Sequence, residues 1–327
     1  MAGNRNGRDA EAGTKRVVYA ALVANALIAI AKFVAAFVSG SAAMLAEAAH
    51  SVADTTNQVF LLVGLRLSKS APDEEHPYGH GKDQFFWAFL VAVLIFFVGA
   101  LFSIYHGVTA LLHADEGGHE SFLISYVVLG VAFVFETIAL TIAFREFRHA
   151  AREVGHSFFE HFRLTRNTTM KVPLYEDAAA LMGVVIAASG LFLVQLTGNA
   201  LFDGIASIGV GVVLLVVAWE LGRDSRALLL GEAVLPEDRE RIREVMLSFP
   251  EITNVFRLLT MHLGPSDVLV NAEIHLADGL DTDEVEDLLE RVTRKVRDEV
   301  PEVKQTFIEP HPTKRASQTP DGNAQRD

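Results

Sequence analysis

Polar side chains interrupt an apolar stretch of the sequence near residue 50. His50 and Asp54 are four positions apart, so a helix places them on one face, where they can hold one cation together. Glu47 lies on the same face one turn earlier, and Asn57 follows. A buried carboxylate without a partner costs several kcal/mol, so we interpret these residues as an ion site. The alternative is a polar patch that pairs with other helices.

A later apolar stretch begins with two adjacent acids, Glu176 and Asp177. Either of them can face His50 and Asp54 and complete a site of three or four ligands at mid-membrane depth. Adjacent residues point about 100° apart on a helix, and we favour Asp177 as the ligand. The alternative is that acids near the start of a helix only stabilise its dipole.

A second candidate metal site lies in the polar loop that follows the His50 stretch. His76 and His80 have three residues between them, and Asp73 precedes His76 by three positions. Proline and glycine in the same loop favour a fold that brings these side chains together. Imidazole and carboxylate are Zn²⁺ ligands, so we predict a surface metal site here. The alternative is a solvated loop.

Three further charged residues fall within apolar stretches. We predict a structural role for Lys32 and Glu136, which can pair with each other or with Glu47, unless Lys32 extends to the membrane interface. Glu47 is also a candidate proton relay. Asp203 begins the last apolar stretch, and we expect it to cap a helix.

The composition limits the class of protein. The chain has 327 residues, of which 50% are hydrophobic and 21% charged, and its mean hydropathy is +0.29, which excludes a disordered protein. The net charge of −13 argues against nucleic-acid binding. The chain has no cysteine, so any metal must bind to His, Asp and Glu, which indicates Zn²⁺ or a neighbouring divalent ion.

The apolar residues form blocks that are long enough to cross a bilayer, because about 20 helical residues span its ~30 Å core. We predict a multi-pass α-helical membrane domain over 17–222 with six transmembrane helices, near 17–39, 43–66, 84–111, 122–144, 173–195 and 199–222. Basic residues concentrate in 145–171 and just after 222. The positive-inside rule then places both termini in the cytoplasm, and we expect the cell (inner) membrane. The segment 1–16 is polar.

A charged second domain follows a linker at 223–235. We predict a helix at 236–248, strands at 253–263 and 267–277, a helix at 282–299 and a strand at 303–309. This αββαβ order indicates a C-terminal cytoplasmic α+β domain, ferredoxin-like, over 236–312, with its helices on one face of a sheet. Residues 313–327 are polar, and we expect disorder.

The run from Ser41 to Lys82, with HxxxD in one helix and HPYGHGK in the loop, resembles the cation diffusion facilitator family of zinc transporters. The likeness extends over about 17–310. The runs that begin at Glu176 (EDAAAL) and Thr260 (TMHLGP) resemble the branch that includes the animal mitochondrial zinc transporter.

The resemblance implies a homodimer that exchanges a divalent cation, usually Zn²⁺, for protons. Two residues of span two and two of span five form the family's transport site, which implies His50, Asp54 and Asp177 here. The position four residues before Asp177 often holds a further ligand, but it is Pro173 here, which cannot ligate. The fourth ligand stays open between Glu176, another side chain such as Glu47 or Asn57, and water. The resemblance also implies the loop site.

The resemblance implies less for the second domain. Metal-filled members have ligands at positions that read Phe256, Glu273, Phe307 and Glu309 here. Because two of these are aromatic, we expect the usual metal site to be missing, and we still expect the domain to dimerise. Three nearby histidines are out of register, and we expect them to be surface residues: His262, His275 and His311.

The function that we predict is secondary active export of a divalent cation by alternating access. Ligands must lose protons to bind a metal, and imidazole, with an ordinary pKa of about 6.5, suits that exchange. The sequence has no Gly-rich phosphate loop and no HExxH pair, so we expect neither ATP use nor enzymatic activity, and no cofactor. The alternatives are a passive channel and a membrane-bound metal sensor.

Overall fold

The computed structural model describes residues 26–112, 122–153, 155–165 and 168–312. The predictions for 1–16, the start of the first span and 313–327 lie outside these residues. The described chain divides into two compact units. One comprises the chain up to Lys69 together with Asp83–Arg226, and the other comprises Ser70–Lys82 and the chain from Ala227 onward.

The first unit is entirely helical in its described part. Its helices are α1 (Ala26–Ser39), α2 (Ala42–Leu67), α3 (Asp83–Leu94), α4 (Phe102–Leu112), α5 (Phe122–Glu153), α6 (Phe158–Leu164), α7 (Thr168–Thr197) and α8 (Leu201–Leu229). A π-helical segment, Ile95–Leu101, joins α3 to α4, so that Asp83–Leu112 is one continuous helical span.

Four of the described helices are long and apolar enough to cross a membrane: Asp83–Leu112, Phe122–Glu153, Met170–Thr197 and Leu201–Leu229. Their mean hydropathy over 18 residues is 2.2 to 2.7. The described part of α1 is apolar but shorter. Helix α2 has 26 residues, which is long enough, but its acids and histidine lower its hydropathy. The structure therefore establishes a membrane domain with four apolar helices.

The segment 145–171, which we expected to connect two spans, is largely helical. Helix α5 continues to Glu153, and α7 begins at Thr168, ahead of the predicted 173. Between them α6 begins with a capping box, in which Ser157 and Glu160 each accept from the other's backbone N–H. A hydropathy profile shows only where the apolar segment ends. Arg, Glu and Ala have high helix propensity, so the helix continues beyond that point into water. Pro173 lies inside α7, where it removes one backbone hydrogen bond.

Asp203 caps α2 and not its own helix. Its carboxylate accepts from the Ser41 hydroxyl and the Ala42 N–H, both at 2.5 Å, and from the Ala43 N–H at 3.4 Å. Ser41 in turn accepts from the Met44 N–H. The predicted capping role is therefore found, but it joins α8 to the start of α2. Asp203 is only 3% exposed, so these bonds form away from water.

The second unit has the predicted order of helix, two strands, helix and strand. Its elements are α9 (Pro236–Leu247), β1 (Ile252–Gly264), β2 (Asp267–Leu276), α10 (Thr282–Glu299) and β3 (Val303–Pro310). The sheet order is β1-β2-β3. β1 and β2 are antiparallel, with Thr260 opposite Val270, whereas β2 and β3 are parallel.

The core of the second unit lies between the sheet and both long helices. Alternate residues of β2, such as Val270 and Ala272, point to this face, and they pack with Met246 of α9 and Val292 of α10. The residues of α10 that enter the core are three or four positions apart. The helices therefore cover one face of the sheet, as predicted.

The loop Ser70–Lys82 packs within this second unit. A Cβ atom at Gly81 would lie 2.5 Å from the Leu263 carbonyl oxygen and 3.0 Å from Gly264 Cα, so only glycine permits this approach of the two backbones. The Lys82 ammonium donates to the Leu229 carbonyl at 3.5 Å. The loop with the histidine pair is thus held against the turn between β1 and β2.

The cap on α2 predicts a stability effect. Replacing Asp203 with Ala leaves the first N–H groups of α2 and the Ser41 hydroxyl without this acceptor, so we expect a loss of about 1–2 kcal/mol. Thermal unfolding of the detergent-solubilised protein, followed by circular dichroism, measures this loss. Asp203→Asn keeps an acceptor oxygen and serves as the control, which should lose less. Equal stability of Asp203→Ala and the wild type would contradict the capping role.

Candidate functional site

The polar face of α2 brings His50 and Asp54 together, as their spacing predicts. His50 Nδ1 lies 3.3 Å from Asp54 Oδ1, without the geometry of a hydrogen bond. The histidine side chain is 1% exposed and the aspartate 14%. Both therefore sit inside the helical unit, where a charge needs a partner.

A direct hydrogen bond connects α2 to α7. The Asn57 amide donates to Glu176 Oε1 at 2.7 Å, and both residues are buried. Because this bond already occupies one Glu176 oxygen, Asn57 fixes the direction of that carboxylate. Asn57 and Glu176 therefore connect α2 to α7 directly, and the choice between Glu176 and Asp177 as cation ligand stays a prediction.

A small cavity lies between the helices at this level. Its lining consists of Ile28, Ser51, Asp54, Gln58, Glu136, Glu176 and Asp177. Both adjacent acids of α7 line it, although their side chains leave the helix at different angles. Asp54 of α2 and both acids of α7 thus meet around one space, and His50 lies beside it in contact with Asp54.

Several buried polar atoms at this site lack a hydrogen-bond partner in the described part of the chain. They are both ring nitrogens of His50, Ser51 Oγ, Asp54 Oδ1 and Asn57 Oδ1. Buried polar groups are normally satisfied, so such atoms indicate a place for a cation or for protons. The candidate ligand atoms of this cavity do not form a compact group. Among the described residues, the only three His or acid side chains with ligand atoms within 4.8 Å of one another lie in the loop Ser70–Lys82.

Glu47 faces elsewhere. Its carboxylate accepts from the Lys32 ammonium at 3.1 Å, and both side chains are fully buried. Lys32 also lies 3.9 Å from Glu136. The predicted pairing of these three residues is found. Glu47 is not among the residues that line the cavity, and its candidacy as a proton relay stays a prediction.

The sequence analysis did not place Glu136, Ser51 or Gln58 at the site. Glu136 is the one charged residue of the apolar block 122–144, and that isolation was the available signal. We assigned it a structural role as an ion-pair partner, which it has, but its carboxylate also lines the cavity. Ser51 and Gln58 carry no comparable signal, because neutral polar residues are common in membrane helices.

The predicted loop site is compact. Asp73 accepts from the His76 backbone N–H at 2.6 Å, and its two oxygens lie 3.3 Å from His76 Nδ1 and 3.1 Å from His80 Nε2. These bonds hold the pKa of the exposed Asp73 carboxyl below its ordinary value, the His76 N–H being the largest cause and His80 the next. Asp73 therefore stays ionised, and two nitrogens and one oxygen fit a Zn²⁺ site with an open position.

The positions in the second unit that correspond to the family's metal ligands have other contacts. Phe256 lies with its ring 6.0 Å from that of His275, Phe307 is exposed, and Glu273 pairs with Arg257 at 3.5 Å. A carboxylate paired with arginine already has a counter-ion.

The three out-of-register histidines differ from our expectation. His262 is 3% exposed, so the prediction of a surface residue is wrong: β1 turns this side chain into the unit near its end. His275 and His311 are half-buried, with His275 Nδ1 lying 3.0 Å from the His311 carbonyl oxygen. His311 also pairs with Glu309 at 3.3 Å.

Comparison with known proteins decides the family. The sequence profile of the cation efflux transmembrane domain matches residues 18–230, and that of the cation efflux protein cytoplasmic domain matches 234–313. The chain belongs to the cation efflux family. This confirms the resemblance to the cation diffusion facilitators and the expectation that the chain is not an enzyme.

Individual relatives of this cation efflux protein refine the likeness. The proton-coupled zinc antiporters SLC30A9, mitochondrial, of Mus musculus and Homo sapiens are each 37% identical over 80% of this chain and 46% of their own length. Metal tolerance protein C4 of Arabidopsis thaliana is 33% identical over 80% of this chain and 57% of its own. The manganese efflux system protein MneP of Bacillus subtilis is 22% identical over 91% of this chain and 96% of its own.

These values confirm the predicted branch, since the animal mitochondrial antiporters share 37% identity with this chain. The chain spans about half the length of those animal relatives.

The loop geometry predicts a preformed Zn²⁺ site. Replacing His80 with Ala removes one of three ligands, and we expect at least about a tenfold loss of affinity, or ~1.4 kcal/mol. The measurement is a Zn²⁺ titration of the solubilised protein in an Asp54→Ala background, which removes one carboxylate from the membrane cavity. Glu74→Gln, in the same loop and also exposed, is the matched control. Unchanged affinity in His80→Ala would show that the trio does not bind the ion.

Proposed function

We propose that this cation efflux protein is a secondary active transporter that exports a divalent metal cation from the cytoplasm in exchange for protons, by alternating access. The observation that carries the proposal is the cavity between α2 and α7, where Asp54, Glu176 and Asp177 meet beside His50. The relatives named as zinc antiporters and as metal efflux proteins support it.

The membrane arrangement that this function requires has six spans. We propose that α1 and α2 cross the bilayer with the four apolar helices, because α2 buries its polar residues against α7 and can so tolerate them in lipid. An even number of spans puts both termini on the same side, and the basic residues around α6 support the cytoplasm as that side. The bilayer that we propose is the cell membrane.

The second unit supports a proposal about assembly. We propose that the protein is a homodimer and that the αββαβ unit, with a ferredoxin-like arrangement, forms part of the dimer contact. The match to the cation efflux cytoplasmic domain over 234–313 supports this proposal.

The exchange follows from the chemistry of the ligands. His50 and the carboxylates Asp54 and Asp177 bind a metal ion only in their deprotonated forms, so loading the ion releases protons. When the cavity opens to the opposite side, protons there compete for the same groups and the ion leaves. Glu176, held by Asn57, keeps its direction while the others change partners.

Zn²⁺ is the proposed substrate because His50 offers a nitrogen ligand beside the oxygens, a mixture that suits Zn²⁺ better than hard ions. Mn²⁺ is the principal competitor, since the cavity itself is lined by carboxylates. A channel would carry either ion without proton coupling, and a sensor would carry neither.

Purified protein in liposomes tests the transport site. We expect Zn²⁺ to drive proton flux in the wild type, and Asp54→Ala or Asp177→Ala to abolish it, because each removes a charged ligand from the cavity. Metal-dependent pH change inside the vesicles is the measurement. Glu146→Gln, an exposed acid on α5, is the control. Wild-type rates in both alanine variants would refute the site, and ion flux without proton flux would identify a channel.

His50 should set metal choice and pH dependence together. Replacing it with Asp keeps a ligand but exchanges a neutral nitrogen for a charged oxygen, so the preference for Zn²⁺ over Mn²⁺ should fall and the pH profile of transport should change. A competition assay in liposomes at two pH values, with the wild type beside His50→Asp, measures both. If neither changes, His50 does not contact the ion.

A further inference from the structure

Lys32 is a fully buried cation beside the cavity. It lies on α1 with no exposed surface, and two carboxylates are near its ammonium: Glu47 at 3.1 Å and Glu136 at 3.9 Å. A buried ammonium is retained only where anions compensate it. Lys32 therefore belongs to the charge balance of the membrane site.

Its two contacts are not equivalent. The contact with Glu47 is a hydrogen bond between two fully buried side chains. The contact with Glu136 is 3.9 Å long, beyond hydrogen-bond distance, and Glu136 keeps 15% of its side chain exposed. Glu136 also lines the cavity with Asp54, Glu176 and Asp177, whereas Glu47 does not.

We propose that Glu136 is a further binding residue for the transported divalent cation, and that Lys32 is its tethered counter-ion, which Glu136 leaves when the cation enters. This inference rests on the proposed transport function and extends it. Glu47 keeps Lys32 in place throughout, so the ammonium never enters the cavity. In the absence of the ion, Lys32 compensates Glu136.

The charges explain the direction of this exchange. A divalent ion among Asp54, Glu176 and Asp177 attracts the Glu136 carboxylate more strongly than a single positive charge 3.9 Å away, which Glu47 already compensates. Lys32 in turn repels the ion and competes for Glu136, which weakens binding. A carrier needs such weakening, because an ion held too tightly does not leave.

Glu136 can also replace the ligand that is missing from α7. Pro173 removes that position, and Glu136 on α5 supplies an oxygen to the same cavity from another helix. The unpartnered ring nitrogens of His50, at 1% exposure, provide the nitrogen side of the site. The ligand set is then rich in carboxylates, which admits Mn²⁺ beside Zn²⁺.

The test uses the full chain in liposomes and measures KM and kcat for Zn²⁺. Glu136→Gln keeps the shape and removes the charge, and we expect KM to rise at least about tenfold, since the site loses a charged ligand. Glu136→Asp keeps the charge and should recover part of that loss. Glu146→Gln on the same helix is exposed and should match the wild type.

A pair substitution tests Lys32. Replacing both Lys32 and Glu47 with Gln exchanges the ion pair for a neutral pair, so that Glu47 leaves no unpaired charge and only Glu136 loses its counter-ion. Without its competitor, Glu136 should bind the ion more tightly, so KM and kcat should both fall. Adding Glu136→Gln should remove the fall in KM. If the ion pair were purely structural, the pair variant would change the amount of folded protein, and its KM would not depend on Glu136.

Two results would overturn the proposal. One is a KM for Glu136→Gln within about twofold of the wild type, a difference too small for a lost ligand. The other is an equally low KM in the pair variant with and without Glu136→Gln.

Failure of the transport function itself has a separate signature: neither the wild type nor Glu146→Gln moves any ion. Zn²⁺ binding to the solubilised protein, with His76→Ala and His80→Ala removing the loop site, then decides the matter. Weaker binding in Glu136→Gln supports the role of Glu136, and equal binding refutes it.

Discussion

Charge burial in an apolar helical unit is the constraint on which the rest of this structure depends. Each ionisable group inside must meet an opposite charge, a hydrogen bond or a bound ion, because desolvation of a lone charge costs more than the fold can offset. Lys32 compensates the charge of Glu47, although Glu47 Oε1 accepts no hydrogen bond, and Lys32 also lies near Glu136, while Asn57 donates to one oxygen of Glu176. Among the unsatisfied buried atoms, the ring nitrogens of His50 and Asp54 Oδ1 lie together, and that location is the chemical argument for a cation site.

The packing around α2 follows from the same constraint. Small residues dominate the buried face of α2 near its start, Ala42 to Ala49 among them, which lets neighbouring helices approach closely. Gly183 on α7 faces Glu47, and a Cβ there would collide with the carboxylate. Asp203 fixes the first turn of α2 from α8. Small side chains and a cap thus place α2 closely enough that its polar groups find partners on α1 and α7.

Local sequence patterns predicted the helices and strands well, because each pattern depends only on residues that are close together in the chain. The four-residue spacing of His50 and Asp54 brings these side chains together, and the strand predicted at 267–277 and the helix predicted at 282–299 are found as β2 and α10. The four apolar spans were predicted from hydropathy, which did not show that α5 continues to Glu153 in polar sequence.

Relations between distant residues could not be predicted in this way. Asp203 caps a helix that begins 161 residues earlier. Glu136 both lies near Lys32 and lines the cavity. His262 is buried although its register suggested the surface. In each case the partner lies on another element, and a single sequence carries no information about which helix or strand faces which.

The two candidate metal sites differ in a way that suits different tasks. The loop trio Asp73, His76 and His80 has its ligand atoms within 4.8 Å of one another, on a loop that Gly81 holds against β1. A preformed site of this kind needs little reorganisation to bind an ion, which favours retention of the ion once it is bound. The cavity in the membrane unit is lined by acids that are not drawn together, and one of them, Glu136, already has a competing cation. A site that must close to bind, against an internal competitor, also reopens readily, which suits an ion that has to leave again on the far side of a membrane.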